Sequence, residues 1–162
     1  MKVFLSYAVG PWDTPIAARL RAVAAAYDIA ILLPDRTQIF HNGLPLDTQE
    51  KIRESDAVIA LVTNTSTTET IQVVNSELQT ATQARKPIIG LVELGGVQIQ
   101  PAPDTQVVYF DRSNPTAHEA YLMNALAHIR QQKSSSDLTA LGWIAGIALG
   151  LIALGGLIGD EK

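Results

Sequence analysis

The sequence predicts an α/β fold, a parallel sheet with helices on both faces. Three observations predict it. Apolar runs of strand length alternate with segments whose apolar residues recur every three or four positions. The central runs, "AVIALVT" at 57–63 and "IIGLVEL" at 88–94, are continuously apolar, as expected of strands covered on both sides. Loops rich in Gly, Pro, Asn and Thr separate the periodic segments, so strand and helix follow one another as in βαβ units.

The first strand is "KVFLS" at 2–6. Thr14 offers an N-cap and Pro15 suits the first position of a helix whose inward residues are Ile16, Leu20, Val23 and Tyr27. "IAILL" at 29–33 is the second strand. "PDRTQIFHNGLPLD" follows as a long loop broken by Pro34, Asn42, Gly43 and Pro45; loops of that length are commonly functional. "TQEKIRES" reads as a short helix before the third strand at 57–63. Ser66 and Glu69 have capping-box spacing at the head of the next helix, which runs to about Ala84. At about 100° per residue, Ile71, Val74, Leu78 and Ala81 form its apolar stripe. Glu77 falls on the border of that stripe. The fourth strand opens after Pro87, and the fifth is "QVVYF" at 106–110. Asn114 and Pro115 start the last helix, with Leu122, Ala125, Leu126 and Ile129 facing inward.

Composition narrows the function. A formal net charge of −4 offers no basic surface for nucleic acid. With no cysteine there is neither a disulfide nor a thiolate metal site. His41, His118 and His128 lie far apart and show no ligand spacing, so no metal is expected. "MKVFLSYAVG" lacks the apolar length of a secretory signal. By contrast, "LTALGWIAGIALGLIALGGLI" at 138–158 carries no charge and has the roughly 20 residues that cross a bilayer. The predicted organisation is a domain at 1–130, a polar linker at 131–137, a transmembrane helix at 138–158 and a tail at 159–162. Arg130 and Lys133 precede the span and one lysine follows it, which places the domain in the cytoplasm. Gly142, Gly146 and Gly150 repeat every fourth residue and predict close helix–helix contact within the membrane, hence self-association.

In parallel sheets, ligands sit beyond the carboxyl ends of the strands. The loops at 6–13, 34–46 and 63–68 leave those ends. They supply Ser6, Tyr7, Trp12, Arg36 and Gly43 as candidate substrate-binding residues, with Arg36 suited to a phosphate. Asp13 reads as a helix cap. "GPWDTP" is neither a P-loop nor a dinucleotide fingerprint.

Several stretches together resemble the Toll/interleukin-1 receptor (TIR) domains: "VFLSYA", "AARLRAVAAAYDIAILLPD", Gly43, "IRESDAVIALVT" and "SELQTATQARKPIIGLVE", covering about 2–130. The resemblance implies a flavodoxin-like TIR fold. In TIR domains that cleave NAD+, a glutamate on this helix is catalytic, and Glu77 is the matching position. The implied protein is a membrane-tethered NAD+ nucleosidase or ADP-ribosyl cyclase, with NAD+ as substrate and no cofactor, active as an assembly in antiphage defence. A carboxylate beside the ribose would favour its oxocarbenium-like transition state. Val73 departs from the pattern, for the family often has an aromatic four residues before the glutamate; Tyr7 and Trp12 are candidates to replace it. Two alternatives stand beside this reading. One is a non-enzymatic TIR adaptor. The other is a nucleoside deoxyribosyltransferase-like enzyme, a fold that also handles N-glycosidic bonds with a glutamate.

Overall fold

Five parallel strands stand in the order β2-β1-β3-β4-β5 in a computed structural model that describes residues 1–8, 13–35, 43–95 and 105–134. They are β1 (Lys2–Tyr7), β2 (Ala30–Leu32), β3 (Ala57–Val62), β4 (Ile88–Glu93) and β5 (Thr105–Phe110). Among the described residues, α1 (Asp13–Ala26), α2 (Leu46–Glu54) and α3 (Thr68–Gln83) run between successive strands, and α4 (Pro115–Ser134) follows β5. The order is that of the flavodoxin-like doubly wound sheet, whose direction of winding reverses between β1 and β3.

Alternation along the strands divides the core in two. Val3, Leu5, Ile59, Leu61, Ile89 and Leu91 face α1 and α4, where Leu20, Ala24, Leu122, Leu126 and Ile129 meet them. Phe4, Val58, Ala60, Val62, Ile88 and Val92 face the other way, against Ile52 of α2 and Ile71, Val74, Leu78 and Ala81 of α3. β3 and β4 are buried throughout, which accounts for their unbroken apolar sequence.

The structure moves several local expectations. α1 begins at Asp13, so Thr14 and Pro15 lie in its first turn rather than at its cap. Its fully buried residues are Ala17, Leu20 and Ala24, with Ile16 and Val23 half-buried against the same core; Tyr27 lies past the helix end and is exposed. α3 starts one residue later than the Ser66–Glu69 spacing suggests. Thr67 is the N-cap and forms a capping box with Thr70, while the Ser66 hydroxyl accepts from the Thr63 backbone N–H inside the preceding loop. α4 continues to Ser134, into the stretch read as a linker. Among the described residues, no helix is long and apolar enough to cross a membrane. The apolar stretch at 138–158, with Gly142, Gly146 and Gly150, lies outside them.

Candidate active site

Ser6 is the penultimate residue of β1 and stands in register with Ala60 of β3, so it lies at the reversal point of the sheet. It shares the α2/α3 side of β1 with Phe4. There its hydroxyl donates to Oε2 of Glu77 at 2.5 Å, across 71 residues of chain. Both residues are fully buried. The distance suits a hydroxyl held by a carboxylate. Glu77 therefore lies deeper than its place at the border of the stripe suggests. α2 and β1 both pack against α3 and close over that flank.

A cleft of about 410 Å³ runs alongside, lined by Gly43, Leu44, Glu69, Gln72, Val73 and Ser76. Its size falls within the range of about 300–1,000 Å³ usual for small-molecule sites. Val73, one turn before Glu77, and Ser76, its neighbour, belong to the wall, whereas Ser6 and Glu77 themselves do not line the cleft. Leu44, packed on the α2/α3 core, closes the opposite side. Gly43 has φ +96°, in the left-handed region, while an added Cβ would meet nothing within 4 Å. The backbone conformation, not crowding, calls for glycine there.

Of the residues singled out from the sequence, the structure brings Ser6 and Glu77 together and sets Gly43 in the adjacent cleft. Tyr7 is half-buried, and it packs against the core on the α1/α4 side of the sheet. Trp12 and Arg36 lie outside the described residues, and the Asp13 side chain is likewise not described. Glu69, assigned a capping role, instead lines the cleft and accepts from the Thr67 hydroxyl at 2.9 Å. Gln72 and Ser76 escaped the sequence reading. A signal was present: 69, 72, 73 and 76 follow the spacing of one helix face, turned away from the apolar stripe. Among the described residues, no group of three or more His, Cys, Asp or Glu is placed to hold a metal ion.

A second buried carboxylate closes the carboxyl end of β4. Glu93 accepts from the Arg112 guanidinium at 2.7 Å and from the Asn64 backbone N–H at 2.9 Å through the same oxygen, Oε2. The recess beside it, lined by Ile16, Leu20, Leu91 and Phe110 with Arg19, Arg112 and Glu119, holds about 60 Å³. That is too small for a ligand of ordinary size.

No family model matches the chain, and no curated relative does. Solved structures do. The chain is similar to a 2-deoxyribosyltransferase from Bacillus psychrosaccharolyticus, at 13% identity and a TM-score of 0.50, over 72% of this chain and 90% of that one. It also resembles the CMP N-glycosidase of Clostridium botulinum, at 15% identity and a TM-score of 0.46, over 78% and 99%. At such identities the likeness is one of fold. It nonetheless overturns the functional reading that the TIR resemblance implied. The likeness runs to a 2-deoxyribosyltransferase, and the expectations of an NAD+ nucleosidase and of antiphage signalling are withdrawn. The physical reason is that the quoted stretches mark features of architecture: a first strand ending in Ser-Tyr, a buried third strand and a glutamate on the helix after it. A sheet of this order can present these for more than one chemistry.

Proposed function

We propose that this domain cleaves the N-glycosidic bond of a nucleoside, as a deoxyribosyltransferase-like enzyme with Glu77 as nucleophile. The observation that carries the reading is the buried Ser6–Glu77 pair at the reversal point of the sheet, beside a cleft of ligand size. Ligands of doubly wound sheets bind at that point.

In the proposed reaction the Glu77 carboxylate attacks the anomeric carbon of the sugar. A C–O bond forms as the C–N bond to the nucleobase breaks. The bonding pair leaves with the base, which takes up a proton. A second nucleobase, or water, then attacks the same carbon, gives up its own proton to solvent in place of the one the first base took from it, and restores the carboxylate, with net retention of configuration. The Ser6 hydroxyl fixes the plane of the carboxylate and with it the direction of Oε1. A fully buried carboxylate must first be reached, so the wall of Val73 and Leu44 parts when substrate enters. Attachment to a membrane through 138–158, with the domain on the cytoplasmic side and neighbours held by Gly142, Gly146 and Gly150, belongs to the same proposal and rests on the sequence. Protease added to intact cells should spare the domain.

Base exchange is the test. The purified protein, incubated with a 2′-deoxynucleoside and a different free nucleobase, should yield the exchanged nucleoside or release the first base. Glu77→Gln should abolish both. A folded parent protein that leaves every nucleoside intact would refute the proposal.

A further inference from the structure

Thr48 lies on α2 and is fully buried, yet among the described residues its hydroxyl has no hydrogen-bond partner. Threonine and serine in helices usually return the hydroxyl to the carbonyl four residues back. On α3, Ser76, Thr80 and Thr82 do so, to Gln72, Ser76 and Leu78. For Thr48 that carbonyl belongs to Leu44, which precedes the N-cap Pro45 and stands outside the helix, so the return bond is not on offer; the Gln49 side chain donates to it instead at 2.8 Å. A valine would occupy the same volume without leaving a buried hydroxyl unmet, so the free fold gives no reason for threonine.

The layers of the core show where this hydroxyl stands. α2 packs on β1 and α3. It descends from the carboxyl edge of the sheet to the start of β3, antiparallel to β1. Ile52 shares a core cluster with Phe4. One turn of helix rises about 5.4 Å and two residues of strand about 6.6 Å. Thr48 thus stands on the helix that covers both elements of the pair, β1 with Ser6 and α3 with Glu77, one turn nearer the carboxyl edge of the sheet than Ile52.

We infer that Thr48 is a specificity-determining residue whose hydroxyl meets the 2′- or 3′-hydroxyl of the sugar. This rests on the proposed function. If Glu77 attacks the anomeric carbon, the sugar enters between β1, α2 and α3, the elements that carry Ser6, Thr48 and Glu77. The partner that Thr48 lacks in the free protein arrives with the substrate.

The test compares the parent, Thr48→Val and Thr48→Ser on a 2′-deoxynucleoside, the matching ribonucleoside and the matching 2′,3′-dideoxynucleoside. Thr48→Val should lose about tenfold in kcat/KM on at least one sugar, relative to the sugar lacking the hydroxyl concerned. Thr48→Ser should restore that ratio. The Tm of Thr48→Val should equal or exceed that of the parent, because no bond of the free protein is lost. A Thr48→Val protein whose three substrates keep the parental ratios overturns the inference and leaves the proposed function standing. A parent that releases no base from any of the three overturns both.

Discussion

The two faces of the sheet carry different kinds of polar group. On the α1/α4 face, polar side chains are tied to one another around an apolar core. Glu93 holds Arg112, Glu119 holds Arg19 through a two-pronged pair, and Gln106 donates to the Tyr121 hydroxyl. The recess between these ties is small. On the α2/α3 side, Ser6, Thr48 and Glu77 are buried, Ser6 bonded to Glu77, and a cleft of ligand size is lined by residues of α3 and by Gly43 and Leu44. Both faces bury a glutamate, but at Glu93 a guanidinium and a backbone N–H converge on the carboxylate. Burial alone thus does not single out a reactive carboxylate; its position relative to the winding of the sheet and to a cleft does.

Exchanging the two glutamates for neutral residues should separate the faces most sharply. Glu77→Gln should reduce base exchange by at least about 10³-fold, the scale on which loss of a nucleophile acts. Its thermal unfolding should stay near that of the parent, since the amide nearly matches the carboxylate in shape. Glu93→Ala should do the reverse. It should cost about 2 kcal/mol in denaturant unfolding and leave the kinetics of the folded fraction unchanged. The value falls below the roughly 3–5 kcal/mol of a fully buried pair because the Arg112 side chain is 35% exposed and screened by solvent. An active Glu77→Gln protein, or an inactive but stable Glu93→Ala protein, would break the contrast.

Much of this contrast was legible in the sequence, and the reasons differ by residue. The strands showed because β3 and β4 are buried on both sides and tolerate only apolar residues. Glu77 showed because it interrupts the pattern at the edge of a clear stripe. The face that Tyr7 takes, and the partner that Ser6 finds, depend on which helices cover each side of β1, and no local pattern encodes that. Thr48 gave no signal at all: within "TQEKIRES" it looks like a solvated helix residue, and only the docking of α2 onto β1 and α3 buries it. The functional resemblance misled for a related reason, because its quoted stretches report the order of elements more than the chemistry between them.

Ser6→Ala should sharpen the reading of the α2/α3 face. Removing the donor to Glu77 should lower kcat by about tenfold, and should also cost about 1–2 kcal/mol of stability because a buried carboxylate loses a partner. A loss of stability with unchanged kcat would make Ser6 a structural residue and remove it from the site.

The smallest effect belongs to the α1/α4 face. Burial raises the Tyr121 phenol above its ordinary value, and the hydrogen bond from Gln106 partly opposes this. A raised folded value means the folded state holds its proton more tightly. The contribution is therefore complete below the ordinary tyrosine value near 10 and is lost as pH rises through the folded value. Tyr121→Phe should flatten the decline of stability at high pH. An unchanged decline would assign it to other groups.

The central claim is that Glu77 forms a covalent bond to the sugar. A 2′-deoxynucleoside carrying fluorine at C2′ should slow both steps by withdrawing electrons from the oxocarbenium-like transition states, and with a good leaving base it should let the intermediate accumulate. Mass spectrometry of the digested protein should then find the added sugar on the peptide containing Glu77, and none in Glu77→Gln. Turnover with the sugar on a different residue, or an adduct that persists in Glu77→Gln, would contradict the account.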